Sequence, residues 1–396
     1  MPTPRAADRA RSPHLVTEFA DREAEFLAHA CLTYGADSPE RRARAADLVP
    51  AEPPSLLTAV VLGDVEATRA WLDRDPGAAV RPGGPFDWEP LLYLAYARLD
   101  RGNPVVVAGL LLDAGADPDS GFLWQGLTPA FTALTGAFGG GEGDQPRHPH
   151  EQPLARLLLR AGADPNDGQA LYNRMFTDDD SHLRLLFEFG LGTGDGGPWG
   201  GSPARMLHDV LLWAAAHDQR ARVELLLDHG VDPDADFPGH PAHAGRGALE
   251  LAIRSGNTEI ADRLRGAGAR AVELDDEVLV VAAALRGDAD ALAAAAPGLL
   301  QRARDREPLA VLHAAGRGRV RAVRLLVEAG WDVNASARHT ALHQAAVRGD
   351  LPLVQALLDL GADPSSVDGE YGATPLGWAE HGGHPEVVEL LRGSQA

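Results

Sequence analysis

The sequence predicts an all-α protein built from stacked pairs of short helices, and three observations support this fold class. Residues 340–361 carry apolar side chains at spacings of three and four on both sides of a Gly-Asp pair, as two short amphipathic helices do. The same pattern recurs elsewhere in the chain. Two short helices bury little apolar surface by themselves, so each pair needs stacked neighbours. Together these observations indicate a helical repeat protein.

The period of the repeat is set by the glycines that separate the two helices of each pair. These glycines, which we call the break glycines, are Gly287, Gly318, Gly349 and Gly382, and they lie 31, 31 and 33 residues apart. Glycine ends a helix well because it readily adopts the left-handed conformation, and Asp350 can cap the helix that follows Gly349. The spacing therefore predicts one helix pair per period.

The residues around the third break glycine also match a known signature. Residues 338–393 contain, in order, a Thr-Ala-Leu-His tetrad at 340–343, both helices and a Gly-Ala-Asp-Pro ending at 361–364. This segment resembles the ankyrin repeat, which has a period of about 33 residues and a T-P-L-H-x-A signature. The resemblance implies an ankyrin-repeat solenoid of about ten helix-pair repeats with enlarged inter-repeat loops. It also implies a concave face, made of hairpin-like fingers and first helices, that binds other proteins and carries no catalytic group.

Taken in order, the chain divides into four segments. We expect a disordered tail at 1–14, a helical N-terminal cap at 15–54, irregular ankyrin repeats with loop insertions at 55–269, and near-consensus repeats with a C-terminal cap at 270–396. The caps are assigned because a solenoid needs a polar outer face at each end. The repeat pattern is therefore weaker in the N-terminal half than in the C-terminal half.

Three features of the repeats are specific enough to test. One irregular repeat is expected to open at Thr128-Pro129 and to contain a Gly- and Pro-rich insertion at 139–150, too rich in these residues to be regular. Another, at 275–298, is expected to finish at a degraded ending, Ala296-Pro297-Gly298.

Composition excludes several classes of function. The formal charge is −21, which argues against a general nucleic-acid-binding protein because such proteins need a positive surface. All 36 basic residues are arginine, so lysine Schiff bases and the P-loop lysine are excluded. A single cysteine, Cys31, allows neither an intrachain disulfide nor a cysteine metal cluster. No apolar run approaches the roughly 18 residues of a membrane span. We expect a monomeric cytoplasmic protein without cofactor or metal.

The first candidate site is aromatic and lies in the N-terminal half. Consensus ankyrin fingers are small and polar, whereas this chain places aromatic residues in several consecutive connections and in the adjoining first helices. These residues form either a ligand-binding surface or a hydrophobic cluster that seals the long loops, and both interpretations stay open. The candidate ligand-binding residues are Phe86, Trp88, Tyr93, Tyr96, Trp124, Phe131, Tyr172, Asn173, Arg174 and Trp199.

The second candidate site is a row of basic residues in the C-terminal half. Arg286, Arg317 and Arg348 each directly precede a break glycine, and His381 does so in the last repeat. Guanidinium groups stacked in this way can bind carboxylates or phosphates through two hydrogen bonds each. The alternative is that they neutralise helix C-termini, where a cation contributes about 0.3–1 kcal/mol. If the row is functional, it predicts an acidic partner.

The function that these patterns favour is a non-catalytic scaffold that recognises a protein or peptide on its concave face. The alternative is a small-molecule-binding or catalytic pocket formed by the aromatic loops of the N-terminal half. An open groove favours a protein partner, while a buried pocket of about 300 Å³ or more ringed by the aromatic residues favours a ligand. Neither interpretation requires nucleic acid or membrane.

Overall fold

The structure, a computed structural model, describes residues 18–32, 37–124, 126–141, 145–194, 202–234, 243 and 245–394. Most of these residues are helical. The chain divides into two compact units, Met1–Val210 and Leu211–Ala396. The tail predicted at 1–14 lies outside the described residues. Within the described part of the chain, no helix is both long enough and apolar enough to cross a membrane.

The first unit contains short helices and one hairpin. First helices pack on the first helices of neighbouring pairs, and second helices pack on second helices. In chain order its elements are α1 (Arg22–Ala30), α2 (Pro39–Leu48), α3 (Leu56–Val61), α4 (Val65–Arg74), α5 (Pro90–Tyr96), α6 (Pro104–Asp113), β1 (Gly121–Trp124), β2 (Leu127–Thr132), α7 (Ala133–Phe138), α8 (Glu151–Arg160), α9 (Gly168–Met175) and α10 (Ser181–Glu188).

The hairpin corrects one prediction. Thr128-Pro129 does not open a helix but lies in β2, which pairs antiparallel with β1 through Phe122 opposite Phe131. The helix begins later, where the Thr132 side chain accepts a hydrogen bond from the Thr135 N–H and Thr135 bonds back to the Thr132 backbone in a capping box. Thr132-Ala133-Leu134 repeats the Thr-Ala-Leu start of the tetrad at 340, so the correct opening was present in the sequence. This small sheet is a local exception to the predicted all-α class.

The second unit has the more regular helix pairs. Helix α11 (Pro203–Ala216) begins before the boundary residue, and the helices that follow lie within the unit. They are α12 (Arg220–Asp228), α13 (Ala248–Arg254), α14 (Thr258–Gly266), α15 (Asp276–Leu285), α16 (Ala289–Ala294), α17 (Pro297–Arg306), α18 (Ala310–Gly316), α19 (Val320–Glu328), α20 (Ala341–Val347), α21 (Leu351–Asp359), α22 (Pro375–Gly382) and α23 (Pro385–Ser394).

The break between α20 and α21 forms as the sequence predicts. Gly349 has φ +66°, and a Cβ at this position would collide with the His384 ring. Asp350 then caps α21 by accepting a hydrogen bond from the Leu353 N–H at 3.1 Å. Leu342 and Leu357, one from each helix, are fully buried in the core of the unit.

A helix replaces the degraded ending predicted at 296–298. Pro297 is the first residue of α17, a position where its missing N–H costs nothing. Helix α17 carries three arginines, of which Arg302 pairs with Glu277 and Arg306 pairs with Asp275. Much of the positive charge of this stretch is therefore neutralised within the protein.

Candidate functional site

The aromatic residues around Trp88 form a packed cluster. The Trp88 ring centroid lies 4.7 Å from that of Phe122, 4.8 Å from Phe86, 5.2 Å from Tyr96 and 5.5 Å from Tyr93. Trp88 and Tyr93 are completely inaccessible to solvent. These are the distances of aromatic pairs in protein cores.

The tyrosine hydroxyls of this cluster form hydrogen bonds with backbone groups. The Tyr93 hydroxyl donates to the Gly83 carbonyl at 2.9 Å and accepts from the Phe86 N–H at 3.0 Å. The Tyr96 hydroxyl donates to the Thr132 carbonyl at 3.1 Å. Both polar atoms are satisfied, as buried groups require. The geometry therefore favours the hydrophobic-cluster interpretation, and a ligand-binding role for these residues stays a prediction that their burial disfavours.

The other predicted aromatic residues have different environments. Phe131 is buried against Phe122, whereas Trp124 is only partly buried, 6.4 Å from the Phe131 ring. Tyr172 is exposed and makes an edge contact with Phe176 at 5.2 Å. Trp199 lies outside the described residues. The structure thus joins Phe131 to the Trp88 cluster but places Tyr172 beside a different ring.

Asn173 and Arg174 are buried and have partners inside the protein. The Asn173 side-chain oxygen accepts from the Gln169 amide at 2.7 Å, and its backbone carbonyl accepts from the Gly141 N–H at 2.7 Å. Arg174 forms an ion pair with Asp179 at 2.8 Å. Asp179 thus supplies Arg174 with an anionic partner inside the protein, and Asn173 holds the start of the 139–150 insertion.

The basic row lies where the sequence predicts, at the ends of first helices. Arg286, Arg317 and Arg348 are the residues that follow α15, α18 and α20, and His381 lies in the last turn of α22. Arg286 is paired with Asp288 at 2.8 Å, and Arg348 donates to the Gly316 carbonyl at the end of α18. The Arg348 contact agrees with the helix-terminus interpretation, whereas Arg286 is neutralised by Asp288, the residue that caps the start of α16.

Arg317 differs from the rest of the row because it lines a cleft. This cleft has a volume of about 300 Å³ and lies within the second unit. Its walls come from α11, α13, α15 and α18, from the residues that directly follow α11, α13 and α18, and from three residues outside these helices, His243, Arg246 and Glu307. The lining residues are Ala216, His217, His243, Arg246, Leu251, Arg254, Ser255, Val278, Val281, Leu285, Glu307, Ala310, His313 and Arg317.

The arginines of the cleft differ in whether a carboxylate neutralises them. Arg254 lies 2.7 Å from Glu250 and 3.6 Å from Glu307, and Arg246 lies 3.6 Å from Glu250. Arg317 makes no ion pair within 4 Å with any carboxylate of the described residues. Its hydrogen bonds go to the His313 carbonyl at 3.2 Å and the Ser255 hydroxyl at 3.3 Å. Its Nε is buried and has no partner in the described part of the chain.

Burial affects the ionisable groups of the cleft. It lowers the pKa of Arg317, and the nearby positive charge of Arg319 lowers it further. Partial desolvation by the walls of the cleft also lowers the pKa values of His217 and His313, although both side chains keep solvent access. Both imidazoles are therefore neutral at pH 7, where an imidazole has a single N–H to donate. His217 donates this N–H from Nδ1 to the Trp213 carbonyl at 2.9 Å. Among the described lining residues, the cleft thus combines a guanidinium that has no carboxylate partner with a neutral imidazole donor, His313.

Sequence reasoning found Arg317 but missed the residues that surround it. His217, Arg254 and Glu307 come from three other elements, between 10 and 100 residues away in the chain. One local feature could have linked three of these residues: His217, Arg254 and Arg317 all lie at or next to the C-terminal end of a first helix. Their convergence depends on how the helices stack.

Comparison with known proteins finds ankyrin repeats in the C-terminal region. A family model described as ankyrin repeats, with three copies, matches residues 279–368 and 312–396. The chain is 41% identical over 88 residues to Palmitoyltransferase Hip14 of Drosophila melanogaster, an alignment that covers 22% of this chain and 14% of that protein.

Two further relatives match over similarly short segments. Human Ankyrin repeat domain-containing protein 63 is 43% identical over 75 residues, covering 18% of this chain and 20% of the relative. Probable E3 ubiquitin-protein ligase XBOS31 of Oryza sativa subsp. japonica is 35% identical over 127 residues, covering 31% and 28%. The chain therefore spans less than a third of the length of each of these relatives. Residues 279–396 of this chain therefore contain ankyrin repeats.

Proposed function

We propose that this chain is a non-catalytic binding module that holds a protein or peptide on the first-helix face of its second unit. The observation that carries the proposal is the cleft, whose walls come from α11, α13, α15 and α18. Each of these is the first helix of a pair, and the first helices form the concave face of an ankyrin stack. The repeats matched at 279–396 support this because such repeats usually bind other proteins.

The size and lining of the cleft fit part of a peptide. A volume of about 300 Å³ lies at the lower end of the range for small-molecule sites, which are mostly apolar. This cleft combines arginine, histidine and glutamate side chains with an apolar lining that includes Val278, Val281 and Leu285. One or two side chains of a bound peptide fill such a space, while the rest of the peptide contacts the surrounding face.

Acyl transfer and ubiquitin transfer are not part of this proposal. The alignments with Hip14 and XBOS31 cover 14% and 28% of those proteins. The family model that matches residues 279–396 describes ankyrin repeats. We therefore assign the similarity to the repeats.

The proposal is tested by site-specific photo-crosslinking of the full chain in native cell extract. One photoreactive residue replaces His313, which is exposed in the cleft, and a second protein carries it at Gln355, which is exposed on the second helix α21. We expect a discrete crosslinked partner from position 313 and none from position 355. Crosslinks from position 355 alone, or equal yields from both positions, would show that the partner does not bind the first-helix face.

A further inference from the structure

We infer that the cleft around Arg317 binds an oxyanion, either a carboxylate or a phosphate group of the bound peptide. The inference rests on the proposed function only for the statement that a peptide carries this group. The presence of the anion site itself follows from the side chains that line the cleft.

The first argument is that Arg317 has hydrogen-bonding capacity left over. Arginine has five N–H donors in a planar arrangement that matches carboxylate and phosphate oxygens. Arg317 uses two contacts, both longer than 3.1 Å and both to uncharged oxygens. A buried donor such as its Nε is destabilising when it has no acceptor. An oxyanion in the cleft would supply the missing acceptor after a small movement of the guanidinium.

The second argument comes from equivalent arginines whose donors are already used. Arg286 is paired with Asp288, and Arg348 bonds to the carbonyl of Gly316. Arg319 bonds to the Leu285 carbonyl at 3.2 Å and to Asp218 at 3.2 Å. Arg317 also bonds to a helix-end carbonyl, that of His313, but it has no carboxylate partner among the described residues. Its Nε lies buried at the cleft without an acceptor in the described part of the chain.

The third argument is the balance of charge. The lining contains three arginines and one glutamate, and Glu250 pairs with two of these arginines. With the histidines neutral, the local charge is +1 in a chain of −21. Helix C-termini oppose an anion because each carries roughly half a negative charge. Arg319 offsets two of them, since it donates to the carbonyls of Ser255 and Leu285 at the ends of α13 and α15. The remaining field therefore favours an anion.

The experiment uses two small probes and saturation-transfer NMR with the full chain. Acetate represents a carboxylate, methylphosphonate represents a phosphate, and acetamide is the uncharged counterpart of acetate. We expect saturation transfer to at least one anion and none to acetamide. A preference for acetate indicates an acidic side chain or C-terminus in the partner, and a preference for methylphosphonate indicates a phosphorylated residue. Equal signals from the anions and acetamide would overturn the inference.

Three variants test the assignment to Arg317. Arg317→Gln should weaken anion binding by roughly tenfold or more, because it removes the charged partner from a desolvated site. Arg324→Gln removes the same charge from α19, where the arginine lies 3.5 Å from Asp359, and should leave anion binding unchanged. Glu307→Gln removes the negative charge from the cleft and should strengthen binding.

The result for Glu307→Gln separates binding from folding, because a loss of structure cannot increase affinity. If Arg317→Gln binds acetate and methylphosphonate as the unmodified chain does, the inference is wrong. The probes are small ions, so this outcome is independent of the crosslinking result. If the chain binds anions but no partner is crosslinked, only the proposed function is contradicted. If a partner is crosslinked but no anion binds, only this inference is contradicted.

Discussion

Three of the four break glycines are preceded by an arginine, and these arginines share one backbone position but have different partners. Arg286 and Arg348 bond to groups of the protein, while Arg317 faces the cleft with a buried Nε that lacks a partner among the described residues. Reversing the charge of Arg348 would therefore disturb the end of α18 as well as any ligand. Arg317 is the residue of the row whose substitution tests binding most directly.

Trp88 provides a residue-scale prediction. Replacing it with alanine should lower the free energy of unfolding by about 3–5 kcal/mol, because the ring is fully buried among four other aromatic rings. The control is Tyr172→Ala, where the ring is 38% exposed and the expected loss is about 1 kcal/mol or less. Urea unfolding followed by circular dichroism measures both. A small loss for Trp88→Ala would instead favour the ligand-binding interpretation of this cluster.

His343 gives a pH prediction. Its buried ring bonds to Thr340 through Nδ1 and to the Ala373 carbonyl through Nε2, and burial lowers its pKa. Because the pKa is lower in the folded state, the unfolded state binds more protons below its own pKa of about 6.5. The stability contributed by neutral His343 is therefore present above that pH and lost as the pH falls through 6.5 towards the folded pKa.

The matched variant is His343→Gln, since glutamine can keep the capping box but does not titrate. Between pH 7.5 and 5.5, the free energy of unfolding should fall more steeply for the unmodified chain than for the variant. The difference should not exceed about 1.4 kcal/mol per pH unit, the most that one proton can contribute. Parallel pH profiles from urea titrations would show that His343 does not titrate in this range.

At the scale of elements, the start of the 139–150 insertion is fixed to α9 by a close backbone approach. Gly141 donates to the Asn173 carbonyl, and Gly140 has φ +84° with no room for a side chain, since a Cβ would lie 2.6 Å from the same carbonyl oxygen. Gly162 is a useful comparison, because it has φ +104° but open space around a Cβ.

Alanine substitutions at these two glycines separate the cost of a side chain on a backbone with positive φ from the cost of a collision with the Asn173 carbonyl. Gly162→Ala should cost about 1–2 kcal/mol for placing a side chain in the left-handed region. Gly140→Ala should cost at least about 1 kcal/mol more, because the collision forces the backbone apart as well. The comparison is made by urea unfolding. Equal losses would mean that the contact between the insertion and α9 adds nothing to stability.

The elements that sequence predicted are those with local signals. The helices around Gly349 were predictable because the glycine, Asp350 and the Thr340 cap all act within one helix pair. The β1–β2 hairpin was missed because its strands are stabilised by burial of Phe122 and Phe131, which a local pattern does not reveal. For the same reason Arg317 could be predicted as a candidate, while the cleft around it could not.

At the scale of the whole molecule, net charge and local charge have opposite signs. A chain of −21 repels an acidic partner at long range, although salt screens exposed charges beyond about 10 Å at 0.1 M. The cleft attracts an anion only at short range. A partner with an isolated acidic group on an otherwise neutral or basic surface would avoid the long-range repulsion and still place an anion in the cleft.

The most direct test of the account is the affinity of the crosslinked partner for two bulky variants of the full chain. His313→Trp places a large ring at an exposed position in the cleft, and Gln355→Trp places the same ring at an exposed position on α21. Isothermal titration calorimetry should show at least a roughly tenfold loss of affinity for His313→Trp, the size expected when a central interface position is disrupted. It should show no change for Gln355→Trp. Unchanged affinity for His313→Trp would contradict binding on the first-helix face.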